Sequence, residues 1–199
     1  MKRTFTLLML VAALAAFSGV AKADVFVLTT TLTGAQEVPP TGSTGIGSAL
    51  VTLDTVTHLM TVNVSFAGLV SPTIASHIHC CAGPGVNAMV ATTTPTFPGF
   101  PLGVTAGTYL QTFDLTLASS YNPAFITAHG GTVAQAQADF IAGLLAGQTY
   151  FNIHTTQFPG GEIRGQLQVV PEPATLLLLG TGLAGVVGAA RRRRKGASG

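Results

Sequence analysis

The segment L-M-T-V-N-V-S-F (residues 59–66) shows the pattern that decides the fold class. The apolar residues Val62, Val64 and Phe66 alternate with polar residues. Because successive side chains of a strand point to opposite faces, this alternation predicts a β-strand with one face in a core and the other in solvent.

Similar short runs, rich in Thr and Val and separated by Gly and Pro, recur on both sides of this segment. They predict further strands at residues 25–32, 48–53, 89–93, 109–117, 149–154 and 163–169. Asn122-Pro123 and Thr132 are typical helix starts, and the second helix is predicted to run through Ala146. The chain is therefore predicted to be all-β, an antiparallel β-sandwich with one or two short inserted helices.

The first 23 residues have the pattern of a signal peptide. A basic start at Lys2 and Arg3 precedes an apolar run, and Ala21 and Ala23 occupy the two small-residue positions that a signal peptidase reads. Cleavage is expected before Asp24, so the remaining chain is expected to be exported.

The last 30 residues (170–199) form a second segment outside the predicted domain at residues 24–169. An apolar run at residues 173–190 ends at five consecutive basic residues (191–195). Eighteen helical residues span roughly 27 Å, close to the thickness of a bilayer core, so a transmembrane helix with a cytoplasmic basic tail is predicted.

The charge of the exported region excludes one class of partner. Residues 24–170 contain six Asp and Glu residues and one basic residue, Arg164, for a net charge of −5 with neutral histidines. A nucleic-acid-binding surface needs a cluster of Lys and Arg, so no nucleic-acid partner is expected.

The densest group of reactive side chains is A-S-H-I-H-C-C-A-G-P-G (residues 75–85). In a strand, His77, His79 and Cys81 share one face. With His154 from another predicted strand, two or three imidazoles are candidate ligands for copper or zinc, and Cys81 is a weaker candidate. The alternative is that these histidines hydrogen-bond to backbone or water at a strand end.

Cys80 and Cys81 are adjacent, and three states are open for them. They form a disulfide, remain a pair of free thiols, or contribute Cys81 to the histidine site. The first two are favoured over ligation.

The C-terminal segment resembles a known sorting signal. Pro171, Glu172 and Pro173, followed by the apolar run and the arginine cluster, are similar to the PEP-CTERM signal of exopolysaccharide-producing Gram-negative bacteria. The resemblance implies recognition by an exosortase, removal of the tail, and delivery to the cell surface or extracellular matrix.

The exported region resembles the CHRD domain. Four motifs occur in order: L-T-G-A-Q-E-V-P-P (residues 32–40), G-S-A-L-V-T-L-D (47–54), the His-x-His strand, and Y-F-N-I-H-T followed by F-P-G-G-E-I-R-G-Q-L (150–167). The resemblance implies an immunoglobulin-like or superoxide-dismutase-like sandwich, and it carries over His77, His79 and His154 together with the polar pair Glu162 and Arg164. The adjacent cysteines depart from it.

No nucleophile motif, close carboxylate pair or phosphate-binding loop is present in the sequence. We therefore expect a non-enzymatic, exported β-sandwich with a structural, adhesive or binding role toward exopolysaccharide or a matrix protein. The alternative is a metal-binding or redox protein that uses the three histidines.

Overall fold

The computed structural model describes residues 25–171, together with Gly182 and Gly185. The nine strands are β1 (Val25–Thr33), β2 (Ile46–Asp54), β3 (Leu59–Ala67), β4 (Thr73–Cys80), β5 (Met89–Val90), β6 (Gly107–Asp114), β7 (Thr149–Thr155), β8 (Ile163–Gln166) and β9 (Gln168–Val169). The two α-helices in the described residues are α1 (Pro123–Ala128) and α2 (Val133–Leu145), and short 3₁₀ helices cover Gly34–Gln36 and Ala118–Ser120.

The predicted β class is confirmed, but the strands form one curled antiparallel sheet rather than two separate sheets. Their order is β5-β4-β7-β8-β1-β2-β3-β6, and β9 also pairs with β1. Continuity arises because β8 pairs with β7 along its length and also meets β1, where Arg164 lies opposite Thr33.

The core lies inside the curl of the sheet, where aromatic rings from strands far apart in the strand order meet. The ring of Phe97, from the loop after β5, lies 5.1 Å from that of Phe113 on β6 and 6.0 Å from that of Phe151 on β7. Both helices add to this core through Phe125 and Phe140, which are fully buried. The sheet therefore closes over one shared hydrophobic centre.

We call β1, β2, β3 and β6 the open half of the sheet, because their outer faces are largely exposed. In β3 the exposure alternates along the strand, as the sequence predicts, with Val62 and Val64 buried and Asn63 and Ser65 exposed. Strand β6 ends at Asp114, before the predicted end at residue 117. The side chain of Asp114 accepts the backbone N–H of Thr116 (2.8 Å), and this contact turns the chain out of the sheet.

We call β4, β7 and β8 the covered half, because loops lie over their outer faces. Every residue of β7 is buried, and so are the last five of β4. A strand that is buried on both faces loses the alternation that identifies a half-buried one.

Both predicted helix starts are confirmed. The side chain of Asn122 accepts the backbone N–H of Ala124, and Pro123 follows it at the first helical position. The side chain of Thr132 accepts the N–H of Gln135 at the start of α2.

Among the described residues, no helix is both long and apolar enough to cross a membrane. Apart from Gly182 and Gly185, the transmembrane helix predicted at residues 173–190 lies outside the described residues, and it stays a prediction.

Candidate metal centre

The strands β4 and β7 bring the three candidate histidines onto one face. They pair in antiparallel register, with His77 opposite Asn152, His79 opposite Tyr150, and Ala75 opposite His154. Directly opposite residues in an antiparallel pair point to the same face, and their neighbours Ile78 and Phe151 point into the core. The histidines therefore lie on the outer face of the covered half.

The imidazoles converge. One ligand atom from each of His77, His79 and His154 lies within 4.8 Å of the others. The centroid of the His77 ring lies 6.0 Å from that of His79 and 5.1 Å from that of His154. The centroids of the His79 and His154 rings are 5.8 Å apart.

Each imidazole is held by one backbone carbonyl. The Nε2–H of His77 donates to the oxygen of Pro95 (2.7 Å), the Nδ1–H of His79 to that of Ala88 (2.9 Å), and the Nδ1–H of His154 to that of Pro159 (3.0 Å). A carbonyl oxygen only accepts, so each bonded ring nitrogen carries the proton. These contacts fix both the tautomer and the orientation of each ring.

The opposite nitrogen of each ring is buried and has no hydrogen-bond partner among the residues that the structure describes. These atoms are Nδ1 of His77, Nε2 of His79 and Nε2 of His154. Since the other nitrogen donates to a carbonyl, the free one is the atom that each ring has available for a ligand. Three buried lone pairs are unfavourable unless a hydrogen-bond donor or a cation binds them.

Burial keeps the three rings neutral. His77 is 5 % exposed, and His79 and His154 are each 8 % exposed. This burial, with smaller contributions from neighbouring positive groups, lowers the pKa of His77 and of His79 to about 4. The pKa of His154 is also lowered, again by burial. Neutral imidazole is the form that binds a metal ion.

The ring of Tyr150, which itself contacts the guanidinium of Arg164, stacks on His79. The Tyr150 ring lies 4.6 Å from the His79 ring and nearly parallel to it, and the Arg164 guanidinium lies 4.3 Å from the centre of the Tyr150 ring. The Tyr150 hydroxyl donates to the Ala88 carbonyl (3.2 Å), the same oxygen that holds His79. Tyr150 and Ala88 therefore fix the plane of this imidazole together.

The family of the chain follows from its sequence motifs and this fold. The sequence matches the CHRD domain family over residues 28–167, which is well over half of the 199 residues.

The chain belongs to the CHRD domain family.

A PEP-CTERM protein-sorting motif matches residues 169–194, directly after the CHRD domain. This motif is recognised by exosortase and implies export with membrane-associated processing. No curated protein and no solved structure matches the chain.

The residues predicted to direct processing fall at or beyond the edges of the described structure. Pro171 is the last residue of the continuous described range, and Glu172 and Pro173 lie outside it. Ala21 and Ala23, at the predicted signal cleavage site, also lie outside the described residues. The domain limits at residues 23 and 170 stay predictions.

Cys81 does not join the three histidines of the CHRD domain. It forms a disulfide with Cys80, and its side chain is exposed at the end of β4. Cys80 points into the core against α2, where a Cβ on Gly143 would lie 2.5 Å from its sulfur. Because Cys81 follows the end of the strand, the alternation that places His77 and His79 on one face no longer applies to it.

Glu162 and Arg164 are both buried, and each forms hydrogen bonds to other residues rather than to its counterpart. The Glu162 carboxyl accepts hydrogen bonds from the Ser43 hydroxyl (2.7 Å), the Val70 N–H (2.6 Å) and the Thr155 hydroxyl (2.6 Å). Arg164 donates to the Gln36 carbonyl (2.6 Å) and to the Asn87 side chain (2.7 Å). Among the described residues, no ion pair joins these two side chains.

Glu37, from the motif at residues 32–40, is buried against the outer face of the covered half. Its carboxyl accepts the side-chain N–H of Asn152 at 3.0 Å, and burial raises its pKa to about 7 against the opposing effect of Arg164. A Cβ on Gly161 would lie 2.6 Å from the Glu37 carboxyl and from the Asn152 side chain, so the glycine provides the space for this pair. The available signal in the sequence was the place of Glu37 in Q-E-V-P-P, part of one of the motifs that carry the resemblance to the CHRD domain.

The remaining histidines in the described residues lie elsewhere. His129 pairs with Asp139 at 2.8 Å, and His58 sits in a tight turn with φ of 58°. Neither contributes to the cluster of three.

Proposed function

We propose that this exported CHRD domain binds one copper or zinc ion through His77, His79 and His154. The observation that carries the proposal is the convergence of three buried ring nitrogens that have no hydrogen-bond partner. Both ions accept neutral imidazole as a ligand.

The spacing of the donor atoms supports this function. For three atoms no more than 4.8 Å apart, there is always a point that lies within about 2.8 Å of all three, against metal–nitrogen bonds of about 2.0–2.1 Å. Shifts of under about 1 Å in each ring close the difference.

The outer hydrogen bonds also support it. In metal sites, the second nitrogen of a ligating histidine usually donates to a carbonyl or carboxylate, which orients the ring and makes the free nitrogen a better donor. All three rings already have such a carbonyl. This arrangement is the one expected of ligands that are organised before the ion arrives.

The test is the metal content of the purified full chain by elemental mass spectrometry, after separate loading with copper and zinc and removal of free ions. We expect about one ion per chain in the wild type and its loss in the His77→Ala and His154→Ala variants. His58→Asn is a matched control, because the Nδ1 of His58 is also buried without a partner and Asn tolerates its positive φ. One ion per chain retained by both alanine variants would overturn the proposal, as would the absence of bound metal in the wild type.

We also propose delivery to the cell surface or extracellular matrix, which the sorting motif at residues 169–194 supports. Mass spectrometry of the mature protein tests the processing step. We expect a chain that begins at Asp24 and lacks the basic tail in a host with an active exosortase. A mature chain that retains residues 191–195 in that host would contradict the proposed release.

A further inference from the structure

We propose that the ion bound at this centre is Cu(I), held in a three-coordinate site by His77, His79 and His154. This inference rests on the proposed metal-binding function and adds the charge state and coordination number of the ion. Two separate properties of the site support it: its lack of negative charge and its number of donors.

The site offers no negative charge to a cation. All three ligands are neutral, and the charged side chain that acts on His79 is the guanidinium of Arg164. The electrostatic cost of burying an ion grows with the square of its charge, so a divalent ion costs about four times as much as a monovalent one in the same surroundings. A buried, all-neutral site beside a guanidinium therefore favours a monovalent ion.

The two nearby buried carboxyl groups are committed to other contacts. Glu37 lies against Asn152, and its raised pKa reduces its negative charge near neutral pH. Glu162 accepts three hydrogen bonds from Ser43, Val70 and Thr155. Neither carboxyl is hydrogen-bonded to one of the three imidazoles, whose ring N–H groups donate to backbone carbonyls, so neither is placed to compensate the second charge of a divalent ion directly.

The number of donors points to the same ion. Among the described residues, the His, Cys, Asp and Glu side chains that converge at this centre number three. Structural zinc sites have four protein ligands, catalytic zinc sites add a water to three, and Cu(II) takes square or tetragonal arrangements, so either divalent ion needs a ligand beyond these three residues. Cu(I) has a filled d shell and is stable with two or three ligands, so three buried imidazoles complete its coordination.

The first test compares the affinities of the purified full chain for the two ions by competition against chromophoric chelators. Cu(I) is kept reduced anaerobically with ascorbate, a reductant that leaves the disulfide between Cys80 and Cys81 intact. We expect a dissociation constant for Cu(I) at least about 100-fold below that for Zn(II). Equal or tighter binding of Zn(II), or tighter binding of Cu(II), would overturn the inference.

The second test adds the missing negative charge. Ala75 is partly exposed and lies opposite His154 on the face that carries the cluster. Ala75→Asp places a carboxylate beside the site, and we expect it to raise the affinity for Zn(II) about tenfold more than that for Cu(I). Ala75→Asn is the matched control, with the same shape and no charge, and it is expected to leave the ratio unchanged. The same change of ratio in both variants would contradict the electrostatic argument.

These outcomes separate the two proposals. If Zn(II) binds stoichiometrically through the three histidines and Cu(I) does not bind more tightly, the metal-binding function stands and the Cu(I) inference fails. If neither ion binds, both fail.

Discussion

The open and covered halves of the sheet bury the same core on their inner faces and differ on their outer ones. In the open half, the outer face carries exposed side chains such as Asn63 and Ser65. In the covered half, the outer face carries His77, His79, Asn152, His154 and Arg164, all of them buried. The comparison shows that loops which cover one half of a sheet convert an ordinary polar face into a desolvated site.

Acidification is expected to produce the largest difference between the halves. His77 and His79 have a pKa of about 4 in the folded, metal-free protein and about 6.5 in the unfolded chain, so only the unfolded chain takes up protons between these values. The contribution of these two rings to stability is therefore constant above about pH 6.5 and falls as the pH decreases toward 4, by roughly 2 to 3 kcal/mol for each ring at pH 4.5. Urea unfolding of the metal-free Glu37→Gln variant at pH 7 and pH 4.5 measures this loss without the opposite contribution of the Glu37 carboxyl, and equal free energies of unfolding would contradict it.

Removal of the Glu162 carboxyl is expected to have the next largest effect. Glu162 is fully buried, and Glu162→Ala leaves the donors of Ser43, Val70 and the buried Thr155 without their acceptor, so we expect a loss of about 3 to 5 kcal/mol. Urea unfolding at pH 7 is the measurement. Glu162→Gln is the control, because it retains one acceptor oxygen and a similar shape. If Glu162→Ala lost less free energy of unfolding than Glu162→Gln, these hydrogen bonds would not stabilise the covered half.

Glu37 is expected to have a smaller, pH-dependent effect of opposite sign. Its pKa is raised from 4.5 to about 7 in the folded protein, so the folded state holds a proton that the unfolded chain releases, and stability falls as the pH rises through this window. Glu37→Gln keeps the acceptor for Asn152 without the charge, and we expect its stability relative to wild type to improve by roughly 2 to 3 kcal/mol between pH 5 and pH 8. Denaturant midpoints at the two pH values test this. If the difference in stability between Glu37→Gln and the wild type were the same at both pH values, Glu37 would not be a buried, ionisable group.

A polar residue of the open half is expected to have the smallest effect. The Thr112 hydroxyl lies 2.9 Å from that of Thr61 on the exposed face. Water replaces this contact, so Thr112→Ala is expected to change the free energy of unfolding by about 0.5 kcal/mol or less. Thermal unfolding measures it, and a loss as large as that of Glu162→Ala would remove the distinction between the halves.

Sequence patterns predicted the open half well because alternation is visible wherever one face meets water. Strand β3 was predicted at residues 59–66 and covers Leu59–Ala67 in the structure. The helix starts at Asn122 and Thr132 were also predictable, since capping depends on local contacts. Continuity of the sheet was not predictable, because the meeting of β8 with β1 joins residues far apart in the chain.

In the covered half, the sequence identified the histidines but not their surroundings. His77 and His79 share a face by strand geometry alone, whereas His154 joins them through the register of β4 and β7. The carbonyls of Pro95, Ala88 and Pro159 leave no signature in the sequence, because every residue has a carbonyl and only the fold aims it. The buried contacts of Glu37 depend on the space at Gly161, which is a tertiary property.

The central claim is that three imidazoles of the covered half jointly hold one ion, and X-ray absorption spectroscopy of the copper-loaded full chain tests it most directly. We expect three nitrogen neighbours at about 2.0 Å, with the outer scattering of imidazole rings and without a sulfur neighbour near about 2.3 Å. The His154→Ala variant is expected to lose this signal. Sulfur in the first shell, or an unchanged spectrum in the variant, would contradict the assignment of the site to His77, His79 and His154.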